Sequence, residues 1–323
     1  MIPLPRLQEI VLDGIQQLSF PNEPAALYDP LRYILSLGGK RMRPVLTLMG
    51  CDVFGGDVNA ALPAALGVEV FHNFTLMHDD IMDNAPLRRS KPTVHTKWNA
   101  NIAILSGDAM FVESCRLVMQ SPDASVRKVM EVFTKTALEV CEGQQYDMDF
   151  ESLNEVSIDQ YIEMIRLKTA VLLGGSLKMG AIIGGANESD AQHLYDFGVN
   201  LGVAFQLQDD ILDVFGDADK FGKQVGGDIL SNKKTYLLLT ALNKAQGATK
   251  DSLLQWINTS DKPQEKVIAI TNIYNSLNVR EVAEEKMNEM YRIALSHLES
   301  IPVLDANKQP LKDLAASLMV RQN

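Results

Sequence analysis

The sequence has few cysteines and no excess of basic residues, and each shortage excludes a class of protein. Cys51, Cys115 and Cys141 are far apart and lack CxxC spacing, so we predict buried thiols in a reducing cytosol. The net charge of -11 argues against a general nucleic-acid binder, although it allows a local basic site for an anionic substrate. The N-terminus lacks the basic-then-apolar pattern of a signal peptide, and we predict a cytoplasmic protein.

No hydrophobic run in the sequence is long enough to predict a membrane span. The longest apolar region, residues 60–77, is interrupted by Pro63, Glu69, His72 and Asn73. These residues make the region too polar for a bilayer core, where nearly continuous apolar side chains are needed. We therefore predict that the chain does not span a membrane.

Alternating strand patterns are also absent, and helical periodicity takes their place. Residues 126–140, 158–173 and 281–298 place apolar side chains at three- and four-residue steps. The breaks between such stretches are short clusters of glycine, proline and asparagine, and none has the length of a domain linker. The chain has 323 residues, 46% of them hydrophobic, and can bury a large core. We predict an all-α fold with many helices in a single domain, residues 1–323.

One acidic motif occurs twice. DDIMD at residues 79–83 is repeated as DDILD at residues 209–213, each time after an apolar helical stretch. On a helix, the first and last aspartates of each motif share one face, about 6 Å apart along the axis. Such carboxylates repel each other and the negative end of the helix dipole, so a cation should offset them. Oxygen ligands of this kind suit Mg2+, particularly with a diphosphate, whereas solvated helix ends are the simpler alternative.

Basic residues lie near both acidic motifs and in one glycine-rich segment. GGKRMRP, residues 38–44, places three cations directly after two glycines. Glycine lets a backbone approach an anion closely, and arginine forks match phosphate oxygens. Further cations follow the first motif at Arg88-Arg89 and the second motif at Lys223 and Lys233-Lys234. Each basic group taken alone is typical of a solvated surface. Because these groups lie near both acidic motifs and in one glycine-rich segment, they favour a binding site for a diphosphate.

Together these motifs resemble those of the trans-isoprenyl diphosphate synthases, which include the farnesyl and geranylgeranyl diphosphate synthases. The resemblance runs from about residue 38 to residue 236. It rests on GGKRMRP, EVFHNFTLMHDDIMD, LRRSKPTVH, EGQQYDMD, RLKTA and FQLQDDILD, followed by FGKQVGGD and NKKT. The resemblance implies an all-α isoprenoid synthase bundle of about ten or more helices around a deep central cavity. In that family the two aspartate-rich motifs face each other across the cavity mouth, and the enzyme is usually a homodimer.

The resemblance implies a role for each residue that matches a family motif. The Mg2+ ligands, around three ions for which Mn2+ can substitute, correspond to Asp79, Asp83 and Asp209. Supporting carboxylates around the metals correspond to Asp80, Asp147, Asp210, Asp213 and Asp228. The allylic diphosphate contacts correspond to Arg88, Gln144, Lys168, Lys223 and Lys233, and the isopentenyl diphosphate contacts to Lys40, Arg43, His72 and Arg89. The groups beside the developing carbocation correspond to Lys168, Thr169 and Gln206. Ser90 departs from the family, which commonly has glycine there.

The implied reaction is a Mg2+-dependent head-to-tail condensation. Isopentenyl diphosphate joins dimethylallyl, geranyl or farnesyl diphosphate to give a short-chain all-trans prenyl diphosphate. Phe74 lies five residues before Asp79 and Phe71 eight before, about 7.5 and 12 Å back along the same helix. An aromatic ring there would close the bottom of the cavity and limit the product to a few isoprene units. The alternative is that both residues are ordinary core aromatics. The pattern favours geranylgeranyl over farnesyl diphosphate.

Three other functions share part of this pattern. A longer-chain polyprenyl diphosphate synthase would share every motif but should carry a small residue at Phe74. A class I terpene cyclase would not need GGKRMRP and Arg89 for a second diphosphate, and its second metal motif differs. A non-catalytic partner subunit should have lost aspartates or lysines from the motifs, and none is lost here.

Overall fold

A computed structural model describes residues 2–153, 155–216 and 226–319. The first helices are α1 (Leu4–Gln17), α2 (Ala25–Ser36), α3 (Met42–Val53), α4 (Val58–Met82), α5 (Val94–Lys97), α6 (Ala100–Val118) and α7 (Val126–Ser152). They are followed by α8 (Ile158–Ile165), a π-helical turn (Arg166–Ala170), α9 (Val171–Ile183), α10 (Glu188–Phe215), α11 (Gly227–Leu230), α12 (Tyr236–Lys244), α13 (Gly247–Ile257), α14 (Pro263–Ser276), α15 (Val279–Glu299) and α16 (Asp305–Met319). The predicted all-α class is confirmed.

A short hairpin, β1 (Leu87–Arg88) and β2 (Lys91–Pro92), was not predicted. Its two turn residues, Arg89 and Ser90, both have positive φ, at 52° and 61°. Two-residue turns of this kind suit the twist of a hairpin but usually contain asparagine and glycine. A left-handed residue with a side chain costs on the order of 1–2 kcal/mol, so the surrounding contacts must hold Arg89 in place.

Internal contacts divide the chain into two compact units, each assembled from three separate stretches. The first unit comprises residues 1–135, 175–195 and 301–310, and the second comprises residues 136–174, 196–300 and 311–323. The first acidic motif, GGKRMRP and the Arg88-Arg89 hairpin belong to the first unit. The second acidic motif, EGQQYDMD and RLKTA belong to the second unit. The single domain over residues 1–323 stays a prediction.

In the first unit, α4 packs along α6 and α3. Glycines allow α4 and α6 to approach closely, because a Cβ on Gly67 would lie 2.5 Å from Val118 Cγ2. A Cβ on Gly107 would lie 2.2 Å from His78 Nε2. The side chain of Asp57 caps α4 by accepting from the backbone N–H of Asn59. This packing fixes the helix whose last turn carries the first acidic motif.

Helix α4 meets the length and composition of a membrane span, and it is the one helix in the described ranges that does so. Of its apolar 18-residue window, 61% is buried inside the protein. A core helix passes the same test, and α4 carries the buried polar side chains of Glu69 and Asn73. That the chain does not span a membrane stays a prediction.

In the second unit, α8 begins at a capping box in which Ser157 and Gln160 exchange side-chain and backbone hydrogen bonds. Gly202 on α10 lies against the π-helical turn, because a Cβ there would be 2.7 Å from Ala170 Cα. The helix that carries the second acidic motif is thereby held close to RLKTA.

The cysteine prediction is partly wrong. All three thiols are free, as predicted, and Cys51 is buried. Cys115 is only partly buried, and Cys141 is exposed on α7. Each helical residue turns the direction of its side chain by about 100°, so Cys141 points outward although its neighbour Val140 is in the core.

Candidate active site

The first acidic motif forms the C-terminal end of α4. The N–H of Asp83 donates to the carbonyl oxygen of Asp79 at 2.8 Å, so the helical register extends to the end of the motif. Asp79 and Asp83 therefore lie one turn apart, as predicted. Asp79 is partly buried and Asp83 is exposed, an arrangement that gives a ligand access to the motif from solvent.

Asp80 is turned inward and holds Arg88. Its side chain is 3% exposed, and it accepts from Arg88 Nε at 3.0 and 2.9 Å and from Nη2 at 2.8 Å. Such a forked pair fixes both the position and the plane of the guanidinium. The sequence predicted separate roles for the two residues, as a support for metal-bound water and as a phosphate contact. The structure links them, because the carboxylate orients the arginine.

The GGKRMRP segment and the hairpin together form a cationic cluster in the first unit. Arg43 Nη1 lies 3.1 Å from His72 Nε2. Arg89 Nη1 donates to the carbonyl oxygen of Gly38, and a Cβ on Gly39 would lie 2.7 Å from Arg89 Nη2. Glycine at position 39, where φ is 127°, leaves room for the guanidinium to lie against the backbone. Three of the four predicted isopentenyl diphosphate contacts are thus brought together, and Lys40 is exposed on the same segment.

The charge environment of this cluster suits an anion. Burial, followed by Arg43, Arg89, Arg88 and Arg41, lowers the pKa of His72 well below its usual value. The imidazole is therefore neutral, and its Nε2 can accept from Arg43. Arg43 Nε is buried and has no hydrogen-bond partner in the structure. An unsatisfied buried donor between cations is a site that an anionic oxygen would stabilise.

The second acidic motif, near the end of α10, has its own buried member. Asp210 is 4% exposed and accepts from the hydroxyl of Tyr161 and, at 3.4 Å, from Gln206 Nε2. Burial raises the pKa of Asp210 to about 7, and the hydrogen bond from Tyr161 opposes this. Asp228 adds to the rise, whereas Lys233 and Gln206 counter it. Tyr161 was not among the predicted residues, since no charge or motif marks it in the sequence.

Asp213 organises the segment that follows the second motif. Its Oδ2 accepts from the backbone N–H of Asp228 at 3.0 Å, and its carbonyl oxygen accepts from Gly226 at 2.6 Å. The N–H of Lys233 in turn donates to the carbonyl oxygen of Asp228 at 2.9 Å. The predicted cation Lys233 is thereby tied to the acidic motif. Lys223, a predicted allylic contact, lies outside the described residues.

RLKTA forms the π-helical turn, Arg166–Ala170, which places Lys168 and Thr169 in an irregular part of the helix. Lys168 Nζ donates to Asp147 Oδ2 at 2.5 Å, so two predicted site residues meet. A Cβ on Gly143 would lie 2.1 Å from Lys168 N, which explains the glycine of EGQQYD, where α7 carries Gln144 and Asp147. Wide turns of this kind are rare overall, and those that occur are often found at functional sites.

The two predicted floor residues belong to an aromatic cluster. Phe71 is fully buried and Phe74 is partly buried, with ring centroids 5.6 Å apart. Phe111 of α6 lies 5.5 Å from Phe74, and Phe133 of α7 lies 5.5 Å from Phe71. Sequence analysis missed Phe111 and Phe133, because each comes from another helix and belongs to no motif.

The first acidic motif offers carboxylates that suit a divalent metal ion but does not by itself form a complete coordination shell. Among the residues that the structure describes, no group of three or more His, Cys, Asp or Glu side chains could hold an ion by itself. Asp79 and Asp83 on successive turns fit Mg2+, which commonly takes one or two carboxylates and completes its shell with substrate phosphates and water. Asp80 is paired with Arg88, which agrees with a supporting role beside the metal rather than direct ligation.

Comparisons with known proteins identify relatives of this chain. The sequence profile described as Polyprenyl synthetase matches residues 24–275. The geranylgeranyl diphosphate synthase of Methanosarcina mazei is 40% identical over 233 residues, 72% of each chain. The short chain isoprenyl diphosphate synthase of Methanothermobacter thermautotrophicus is 33% identical over 99% of this chain and 98% of its own. A crystal structure of geranylgeranyl pyrophosphate synthase, 44% identical, superposes with a TM-score of 0.94 over 100% of both chains. The chain belongs to the polyprenyl synthetase family and is a prenyltransferase.

Proposed function

We propose that the protein is a short-chain trans-isoprenyl diphosphate synthase, with geranylgeranyl diphosphate favoured over farnesyl diphosphate as its product. The observation that carries this proposal is the cluster of Arg43, His72 and Arg89. In this cluster the buried Nε of Arg43 has no hydrogen-bond partner in the described part of the structure. A terpene cyclase handles one diphosphate and has no need of such a cluster beside an aspartate-rich motif. The names of the relatives support the same substrate class.

In the proposed reaction, the C–O bond of an allylic diphosphate breaks and the diphosphate leaves with the electron pair. Asp79 and Asp83 of the first motif and Asp209 of the second would hold Mg2+, which when bound would supply charge neutralisation for this leaving group, with Mn2+ as a substitute. Arg88, fixed by Asp80, and Lys168, held by Asp147, donate hydrogen bonds to the phosphate oxygens.

Isopentenyl diphosphate is held by Lys40, Arg43 and Arg89. The electrons of its double bond form the new C–C bond to the allylic carbon. This leaves a positive charge on the next carbon of the isopentenyl group, and loss of a proton from the carbon beside it restores a double bond. The released diphosphate takes this proton, because the neutral imidazole of His72, the alternative base, already faces Arg43 through Nε2 and has a lowered pKa. Thr169 and Gln206 place oxygens beside the developing positive charge, and apolar walls keep water away from it.

The direct test is incubation of the purified protein with isopentenyl diphosphate and Mg2+, using dimethylallyl, geranyl and farnesyl diphosphates in turn as starters. Chromatography of the dephosphorylated products should show chains of up to four isoprene units. Cyclised hydrocarbons would instead indicate a terpene cyclase, and longer chains would indicate a longer-chain polyprenyl synthase. An inactive chain that gains activity when mixed with a second protein would indicate a partner subunit.

The two diphosphate sites should separate kinetically. Arg43→Ala and Arg89→Ala should mainly raise KM for isopentenyl diphosphate, whereas Arg88→Ala should mainly raise KM for the allylic substrate. Each substitution removes a charge-assisted contact of roughly 1.5–3 kcal/mol, or about ten- to hundredfold in KM. Steady-state kinetics with each substrate varied in turn measures the split. Arg127→Ala is the control, because that side chain is 91% exposed. Equal effects of all three substitutions on both substrates would contradict the proposed division.

The proposed homodimer would cover an apolar surface on α6. Leu105, Val112 and Met119, the last of which directly follows α6, recur at seven-residue steps and are 60%, 67% and 64% exposed. Ile104 and Phe111 lie beside them and are 44% and 38% exposed. A stripe of this kind along one helix is typical of a face that packs against another protein, and for a polyprenyl synthetase we take that protein to be a second copy of this chain.

Val112→Glu should convert the proposed dimer to a monomer, because the substitution places a charge at the centre of the apolar stripe. Light scattering coupled to size-exclusion chromatography measures the mass of each species, and that of the unmodified chain should be twice the monomer's 35.7 kDa. Leu304→Glu is the matched control, since that leucine is 75% exposed and distant from α6 in the chain. A monomeric unmodified protein at micromolar concentration would overturn the dimer.

A further inference from the structure

Beneath the cationic cluster lies a buried carboxylate to which no motif assigns a role. Glu69 is 2% exposed, and its Oε1 accepts from Arg41 Nη1 and, at 2.8 Å, from Asn73 Nδ2. Arg41 is 6% exposed, and its Nη2 donates to the carbonyl oxygen of Leu35 at 2.5 Å. The guanidinium is therefore tied both to α4 and to the end of α2. A fully buried ion pair is costly to desolvate, so its stabilising value alone is a weak reason for its presence.

The ion pair of Arg41 and Glu69 lies at the start of α3 and thereby affects the position of the anion site. Arg41 is the residue before α3 and has a left-handed backbone with φ of 49°. No side chain caps the helix there, so the anchored guanidinium is what fixes Arg41 at the start of α3. Arg43 follows two residues later in the first turn and reaches His72. Glu69 and His72 are three residues apart on α4 and share a face.

We propose that Glu69 is a positioning residue for isopentenyl diphosphate, acting through Arg41 to set the start of α3 and hence the place of Arg43. The identity of the ligand rests on the proposed function. Glu69 is also the nearby anion that counters the arginines, since it opposes the lowering of the pKa of Arg43 and of Arg89 that burial causes. The carboxylate thus offsets part of the cost of burying these arginines together and helps to orient them before the substrate arrives.

The test separates positioning from a purely structural role by comparing two KM values. Glu69→Leu should raise KM for isopentenyl diphosphate about tenfold or more, the loss expected for one misplaced charge-assisted contact, and leave KM for the allylic substrate nearly unchanged. Glu69→Gln keeps an acceptor for Arg41 and Asn73 and should recover most of the loss. Glu131→Gln is the matched control, because that carboxylate is exposed and pairs with the exposed Arg127.

A second variant covers the case in which Glu69→Leu does not fold, as judged by circular dichroism. Arg41→Lys keeps the charge but can hold only one of the two anchors, Glu69 or the Leu35 carbonyl. It should therefore raise KM for isopentenyl diphosphate selectively. If a folded Glu69→Leu or Arg41→Lys enzyme leaves both KM values unchanged, or raises both equally, the positioning role is wrong.

Titration calorimetry with inorganic diphosphate, without metal, tests the same arrangement independently of turnover. Arg43→Ala and Glu69→Leu should weaken binding to a similar extent, whereas Glu131→Gln should not. If the unmodified protein forms no prenyl product but binds diphosphate in this Glu69-dependent way, the proposed function is wrong and the positioning role stands. If the unmodified protein makes the product but Glu69→Leu binds diphosphate as tightly as the unmodified protein does, the positioning role is wrong and the function stands.

Discussion

Asp79→Ala should lower kcat by on the order of a thousandfold, because it removes a proposed ligand of the metal that would neutralise the leaving diphosphate. Asp209→Ala should do the same from the second motif. The chemical step depends on this neutralisation, so higher substrate concentrations should not restore the rate. Product formation under saturating concentrations of both substrates and Mg2+ measures the effect.

Stability measurements separate this loss from unfolding. Asp79 lies one turn from Asp83 at the negative end of the α4 dipole, so its removal should leave the melting temperature unchanged or slightly higher. Asp123→Ala, at an exposed aspartate outside both motifs, should retain normal turnover and is the control. Near-normal kcat in either Asp79→Ala or Asp209→Ala would falsify the proposed metal ligands.

Phe74→Ala should lengthen the main product by at least one isoprene unit. The substitution removes a ring that packs against Phe71 and Phe111, and the tail of the growing chain can then extend past it. The void should cost about 3 kcal/mol of stability, which a chain of this size can tolerate. Product length is measured by chromatography at fixed substrate ratio and fixed Mg2+ concentration, because both can alter chain length.

Two further variants sharpen the result for Phe74. Phe71→Ala added to Phe74→Ala should lengthen the product again, since Phe71 is the next ring towards the start of α4. Phe54→Ala removes a partly buried ring outside the aromatic cluster and should leave product length unchanged. If a folded, active Phe74→Ala enzyme makes the original product, another group ends chain growth, and the preference for a short product loses its main physical support.

The sequence predicted the elements that depend on local periodicity. Apolar side chains at helical steps lead directly into each acidic motif, and the structure ends α4 and α10 close to those motifs. The spacing of Asp79 and Asp83 on one face follows from helix geometry alone, and the hydrogen bond between their backbones bears it out. The convergence of Arg43, His72 and Arg89 followed from the family resemblance, not from periodicity.

Features that depend on contacts between distant residues could not be predicted in this way. The pairs Arg41–Glu69 and Tyr161–Asp210 join residues 28 and 49 positions apart. Nothing in the local pattern indicates that Phe111 would meet Phe74. The left-handed turn at Arg89 contradicts its residue preferences, since tertiary contacts to Gly38 and Gly39 outweigh the local cost.

The π-helical turn places one additional residue between two contacts that the second unit makes with α10. Tyr161 lies before the turn and contacts Asp210, whereas Ala170 ends it and packs against Gly202. A π-helical turn holds one residue more than an α-helical turn, so deleting one residue within it would restore a regular helix while both contacts could still form. The side chains of Lys168 and Thr169 would then take other positions around the helix axis. Such a deletion should therefore cost activity more than stability.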